Sequence, residues 1–446
     1  MRHIAIIGNG ISGITAARHL RKGSDDRITV ISAETEHFYS RTALMYIYMG
    51  QLEYHHTKPY EDHFWPKNRI ELLRAEVNRI DFNGKEIFFA PSGNASSLKY
   101  DILILALGSR PNFADWPGAQ LRGVQGLYGM PDLERMEADT KGVREAVVVG
   151  GGLIGVELCE MLQARGIAVT FLVREESYWR SVLPKEESDL VSRHIREHGI
   201  DLRLGAELAE LVDDGSGRVG AVRTKGGETL PAQFVGISIG VQPNIAWLKE
   251  SPLETSRGIL VNEYLETSLP DVYAIGDCVE HRNPPPGRRP VEQIWYSGRI
   301  MGETLARTLL GERTAYRPGV FFNSAKFFSI EYQTYGEVPA NLPSGQQTFY
   351  WEHPEGRKAL RINYRSANGA VTGVNALGIR QRQEVWEGWI TDQTAITEVL
   401  TQLGDANFDP EFFPRHENEI IAQFNRENPQ RTLKPRRKAG LLGWLR

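Results

Sequence analysis

Two glycine clusters, Gly8-Asn-Gly10-Ile-Ser-Gly13 and Gly150-Gly-Gly152-Leu-Ile-Gly155, constrain this chain more than any other feature, because each lies between a short β-rich run and a helical stretch. In the first copy the runs are His3 to Ile7, Ile14 to Arg21 and Ile28 to Ile31; in the second they are Ala146 to Val149, Val156 to Gln163 and Val169 to Val173. Each reads as a βαβ unit. In such a unit the first glycine permits a tight turn, the second lets the backbone approach a pyrophosphate, and the third allows close helix-to-strand packing. The helix N-terminus adds partial positive charge. A lone cluster is weak, but two complete ones in the right context predict two dinucleotide sites.

The 446 residues are too many for one core and suggest several domains. A long insertion follows the first unit and ends in the apolar run Tyr100-Asp-Ile-Leu-Ile-Leu-Ala106-Leu-Gly108-Ser-Arg-Pro, which suits a strand buried on both faces. A similar strand, Phe234 to Gly240, closes the second copy, and Asp271-Val-Tyr-Ala-Ile-Gly-Asp277 is expected to return to the first domain. A helix is predicted from about Pro290 to Leu310, an antiparallel sheet over 320–379, and helices from about Val385 to Leu403 and Pro414 to Glu427. The expected fold is α/β: two Rossmann-like three-layer nucleotide-binding domains plus a C-terminal α+β domain. The boundaries are 1–115 with 255–315 for the first, 116–254 for the second, 316–430 for the third, and 431–446 for a basic, apolar tail.

The acid that bonds a ribose hydroxyl normally ends the second strand of a unit. In the first copy Ser32 stands there, and Glu34 is the nearest replacement. In the second copy Val173 stands there, followed by Arg174 and, further on, Arg180. An arginine pair attracts the 2′-phosphate of NADP, so NADPH is the expected donor. NADH bound through Glu175 stays open.

In order along the chain, Gly8 to Gly13, Ala106-Leu-Gly-Ser-Arg-Pro, Gly150 to Glu157, Gly240-Val-Gln-Pro-Asn and Tyr273-Ala-Ile-Gly-Asp277 resemble the pyridine nucleotide-disulfide oxidoreductase family of FAD flavoproteins, over about residues 1–315. Ile28 to Glu34 and Tyr39-Ser-Arg41 look most like the NAD(P)H-binding flavoprotein part of assimilatory nitrite reductases and their rubredoxin- and ferredoxin-reductase relatives. The resemblance implies FAD at Gly8, Gly10, Ile11, Ser12, Gly13 and Glu34. It adds Arg41 near the pyrophosphate, the Val77 backbone at the adenine, Ala106 and Gly108 in the turn between domains, and Asp277 at a ribityl hydroxyl. Gln293, Ile294 and Trp295, at a helix start, would aim amides at the flavin pyrimidine. It implies a nicotinamide nucleotide at Gly150, Gly152, Leu153, Ile154, Gly155 and Gly240, with Glu157 beside the nicotinamide.

Two departures narrow these implications. The segment Phe38-Tyr-Ser-Arg-Thr-Ala-Leu carries no redox cysteine, and Cys159 and Cys278 read as small buried residues. Many relatives also carry a lysine near flavin N5, where this chain offers Tyr46, so Tyr46 and Glu157 are the candidate catalytic residues. No metal is expected: His55, His56 and His63 lack a cysteine or carboxylate at ligand spacing. The stripe Phe321, Phe322, Phe327, Phe328, Tyr332 and Tyr335 reads as sheet core.

These readings predict hydride transfer from NAD(P)H to FAD, then electron delivery to a non-thiol acceptor, a small redox protein first. A peripheral NAD(P)H:quinone reductase and a slowly turning redox sensor are the alternatives. A net charge of −4 points to no nucleic acid. The opening MRHIAIIGNG leaves no room for a signal peptide, so a cytoplasmic location is the default. Arg431, Lys434, Arg436, Arg437, Lys438 and Arg446 beside Leu441, Leu442, Trp444 and Leu445 suit contact with the inner face of a membrane or an acidic protein as well as they suit a frayed tail. Oligomeric state is not legible, although a C-terminal domain of this kind often forms a dimer interface in that family, which leaves a homodimer open.

Overall fold

Both glycine clusters lie between a buried strand and a helix in a computed structural model of the protein, which describes residues 1–90, 96–409 and 411–436. The first helix spans Ile11–Gly23 and the second Leu153–Ala164, each starting nearer its glycines than the apolar periodicity suggests. His3–Ile7 and Glu145–Val149 are the central strands of two separate five-stranded sheets, in which every pairing is parallel. Burial on both faces explains why these strands read as unbroken Ile, Val and Ala rather than as an alternation.

The chain divides into two compact units. The first comprises Met1–Arg174 and Ile200–Pro318 and holds both parallel sheets. One sheet runs in the order Val272–Ala274, Ile102–Leu105, His3–Ile7, Arg27–Ser32, Ile70–Arg74, and the other Asp201–Leu204, Ala168–Val173, Glu145–Val149, Phe234–Ile237, Val124–Gln125. The strand Val272–Ala274 therefore does return to the first sheet, where it pairs with Leu103 to Leu105. An antiparallel pair, Ser109–Pro111 with Val241–Pro243, ties together the segments that leave the two sheets.

The second unit comprises Glu175–Gly199 and the residues from Gly319 on. Its antiparallel sheet runs Phe322–Phe327, Ile330–Gly336, Val371–Leu377, Ala359–Arg365, Gln346–Glu352. One face is packed by Gln383–Thr391, Ile396–Thr401 and Glu417–Glu427, with Trp386, Trp389, Val399 and Phe424 in the core. The long helix predicted from Val385 to Leu403 is thus two helices, broken where Gln393 takes a left-handed φ of 55°. The helix predicted from Pro290 spans Trp295–Leu309, and the one predicted from Pro414 spans Glu417–Glu427.

Residues 175–199 group with this sheet rather than with the parallel strands on either side of them in sequence. A buried charge links them to it: Glu187, with no exposed surface, accepts from Arg361 Nε at 2.8 Å and from Asn375 Nδ2 at 2.7 Å. Tyr178 and Trp179 pack on Phe327 at ring separations of 5.9 and 6.0 Å. Phe327, Tyr332 and Tyr335 are core, as the aromatic stripe suggests.

Candidate functional site

In the first unit a cavity of about 760 Å³ opens along the first glycine cluster, within the range of nucleotide-sized sites. Gly8, Gly10, Ile11 and Ser12 line it, together with Glu34, Arg41, Val77, Ala106, Gly108, Asp277, Gln293 and Trp295. Ile154 and Glu157, from the helix after the second cluster, line the same cavity. Residues far apart in sequence, assigned to two nucleotides, thus face one space.

The glycines differ in what requires them. Gly8 has φ +113°, and a Cβ there would lie 2.0 Å from the Ala106 carbonyl oxygen; Gly150 has the same φ, with a Cβ 2.4 Å from the Ser238 carbonyl oxygen. Gly13 and Gly155 are needed for packing, since their Cβ atoms would lie 2.1 and 2.3 Å from the Gly8 and Gly150 oxygens. At Gly10 and Gly152 a Cβ would meet nothing within 4 Å among the described residues. The open side of these two glycines is a cradle that a side chain would fill, which fits the close approach of a pyrophosphate at each cluster.

The polar floor is pre-assembled. Arg41 Nη2 donates to Glu34 Oε2 at 2.7 Å, and Arg41 Nη1 donates to the Tyr128 carbonyl at 2.8 Å. Glu34 also accepts from the Met130 amide at 2.7 Å and from the Tyr39 hydroxyl. Burial pushes the Glu34 carboxyl up, but Arg41 and these hydrogen bonds outweigh it and hold the group below its usual range. Tyr128 Oη accepts from the Ser109 amide at 2.8 Å and donates to Asp277 Oδ2 at 3.2 Å, while Gln293 Nε2 donates to Ser109 Oγ at 2.7 Å. Burial raises the Asp277 carboxyl, opposed by Tyr128, Ser109 and Arg41.

Tyr128 and Trp247 also line the cavity and lie in none of the motifs above, and Ser109 lines it from within the motif Ala106-Leu-Gly-Ser-Arg-Pro, where the resemblance implies no role for it. Tyr128 has no local signal, since its partners Ser109, Arg41 and Asp277 come from other segments. Ile294 is the N-cap of the helix Trp295–Leu309, whose neighbours Gln293, Trp295 and Gly298 face the cavity. Tyr46 is half-buried on the short helix Leu44–Tyr48, whose Leu44 and Met45 line the cavity; Tyr46 itself lies outside that lining.

Glu157 retains partial exposure where it meets the cavity, yet burial, with Glu160 nearby, raises its carboxyl to about 7. Cys159 and Cys278 have no exposed surface, and burial pushes the first thiol well above its ordinary value and the second up to about 12. A thiolate relay has no accessible sulfur here.

Around the second cluster, Leu153 begins the helix, and Gly240 lies in an exposed turn with φ +98°. Arg174 follows the strand Ala168–Val173 and is exposed. Arg180, in the second unit, donates to the Ala340 carbonyl at 2.9 Å and to Asn341 Oδ1 at 3.0 Å.

No helix among the described residues is long and apolar enough to cross a membrane. Of the basic tail, residues 437–446, with Leu441, Leu442, Trp444 and Leu445, lie outside the described residues.

A family model described as pyridine nucleotide-disulphide oxidoreductase matches residues 2–299. The chain is 30% identical over 285 residues to a nitrite reductase [NAD(P)H] of Bacillus subtilis, covering 63% of this chain and 35% of that one. It is 30% identical over 337 residues to rhodocoxin reductase of Rhodococcus erythropolis, covering 73% and 76%. The chain thus spans about a third of the length of the B. subtilis relatives it matches. A ferredoxin reductase from Rhodopseudomonas palustris superposes with TM-score 0.76 at 25% identity, covering 85% of this chain and 91% of that one. A NAD-dependent persulfide reductase from A. fulgidus shares the fold, with TM-score 0.83 at 23% identity over 96% of this chain and 84% of that one.

Proposed function

This chain belongs to the pyridine nucleotide-disulphide oxidoreductase family, whose members bind FAD and NAD(P)H, and from that membership we propose that it is an FAD-dependent NAD(P)H reductase of a small redox protein. The observation that carries the reading is the shared cavity, lined at once by Gly10, Asp277 and Trp295 and by Ile154 and Glu157. Bound FAD supplies the two-electron and one-electron chemistry that links a nicotinamide donor to a one-electron carrier.

The residues bind and orient. Gly10 and the helix start at Ile11 take the FAD pyrophosphate, Glu34 takes a ribose hydroxyl of its adenosine, Arg41 lies near the pyrophosphate on the flavin side, and Asp277, held by Tyr128, takes a ribityl hydroxyl. The amides at the start of the helix Trp295–Leu309 stabilise negative charge at the flavin pyrimidine. Gly152 receives the second pyrophosphate, and Glu157, protonated up to about pH 7, donates a hydrogen bond beside the nicotinamide without adding repulsive charge. Arg174 selects NADPH by charge-assisted bonds to its 2′-phosphate.

With both thiols buried, the electrons leave through an external acceptor. Rhodocoxin reductase and rubredoxin-NAD(+) reductase, the latter 30% identical over 321 residues, name protein carriers, and we take the same class as the acceptor here. Steady-state assays with NADPH and a panel of [2Fe–2S] ferredoxin, rubredoxin and a soluble quinone test this. A carrier protein turned over faster than the quinone is expected; quinone reduction that outpaces every carrier would replace the reading.

A further inference from the structure

Outside the cavity, the second unit brings together three side chains that have no part in the reading above. His353 follows the strand Gln346–Glu352, in a turn held by the bond from its amide to the Lys358 carbonyl at 2.9 Å. His416 is the N-cap of the helix Glu417–Glu427, and Glu419, three residues on, lies on the same side of its first turn. His353 Nε2 is 3.9 Å and His416 Nδ1 is 3.5 Å from Glu419 Oε2, and the three ligand atoms all lie within 4.8 Å of one another. His416 is 9% exposed, and neither of its ring nitrogens has a hydrogen-bond partner among the described residues. A buried imidazole left in that state calls for an explanation.

We propose that His353, His416 and Glu419 form a binding site for a divalent transition metal, Zn²⁺ by the chemistry of the set, that pins the start of the helix Glu417–Glu427 to the end of the strand Gln346–Glu352. Two imidazoles and one carboxylate suit zinc, leaving a fourth position for water. Zinc bonds of about 2.0–2.2 Å in a tetrahedron set ligand atoms about 3.3–3.6 Å apart. The Glu419–His416 pair already meets that spacing, and His353 needs to close by part of an ångström on Glu419 and further on His416. Glu355 Oε2 lies 3.5 Å from His353 Nδ1, where it can accept that N–H and so present Nε2 to the metal, the usual carboxylate–histidine arrangement. This tautomer gives up the bond that the Glu355 amide makes to Nδ1 at 3.2 Å. Lys358, 3.7 Å from Glu355, opposes the ion's charge. Both terms weaken the site relative to a closed structural one. Cysteine does not compete, because both thiols are fully buried.

The test is Zn²⁺ titration of the flavin-loaded full-length protein by calorimetry, with thermal unfolding in parallel. One equivalent is expected to bind and to raise the melting temperature, and Glu419→Gln and His353→Gln are each expected to weaken binding at least about tenfold. The Glu419 side chain is 53% exposed and the His353 side chain 18%, and far-ultraviolet spectra of both variants verify folding. The exposed pair His55 and His56, with rings 3.8 Å apart and His55 Nδ1 3.3 Å from Glu53, is the control. No saturable binding, or binding lost in His55→Ala and unchanged in Glu419→Gln, overturns the proposal.

Discussion

Arg41 and Glu34, which both line the cavity, meet in a two-point ion pair, with Nη2 to Oε2 at 2.7 Å and Nη1 to Oε1 at 3.1 Å. Their side chains are 28% and 20% exposed, so the pair is partly shielded and its bidentate geometry counts for more than that of a surface pair. A nucleotide bound there as proposed would meet two groups whose positions are set before it arrives.

Glu34→Gln leaves Arg41 without its counter-charge and is expected to lower unfolding stability by about 1–3 kcal/mol at neutral pH and to weaken FAD retention. Because the folded carboxyl lies below its ordinary 4.5, this stability is present above that value and lost as pH falls through the folded pKa. Urea unfolding of both proteins should show a gap that is flat at neutral pH and narrows below 4.5.

The glycines separate folding from binding. Gly8→Ala places a methyl group 2.0 Å from the Ala106 oxygen and is expected to abolish soluble, folded protein. Gly10→Ala and Gly152→Ala meet nothing within 4 Å among the described residues, so both should fold. Gly10→Ala is expected to be purified without flavin, whereas Gly152→Ala should keep its flavin and show a KM for NADPH raised about tenfold or more. Flavin absorbance and steady-state kinetics read the two outcomes.

Glu157 gives a pH signature of opposite sign. Its carboxyl, raised to about 7 from 4.5, holds a proton in the folded state that the unfolded chain has released. Stability conferred by the protonated form is complete below 4.5 and falls as pH rises toward 7, by at most about 1.4 kcal/mol per unit. Glu157→Gln should remove that slope in urea unfolding; an unchanged slope would assign it to another group.

Arg174→Ala is expected to raise the KM for NADPH about tenfold while leaving that for NADH within about twofold, as loss of a charge-assisted phosphate contact requires. Arg180→Ala, whose side chain holds Ala340 and Asn341, should show its effect in thermal stability instead.

What the sequence made legible was local. The glycine clusters, the buried parallel strands and the turn at Asp277 each announce themselves within a dozen residues, because backbone sterics and strand burial act on neighbours. Long-range pairings left no such trace. Tyr128 is defined by Ser109 and Asp277. Residues 175–199 join the antiparallel sheet through Glu187 and Arg361, a buried pair that no periodicity announces. His353 and His416 are unremarkable in sequence, since only the turn after one strand and the start of one helix bring them together.

Anaerobic reduction of the bound flavin by NADPH, followed by stopped-flow absorbance and counted against nucleotide added, tests the central claim most directly. Complete bleaching by one equivalent is expected, at a rate unchanged in the Cys159→Ser, Cys278→Ser double variant, because no thiol shares the electrons. Uptake of a second equivalent that the double variant abolishes, or a flavin that neither NADPH nor NADH bleaches, would contradict it.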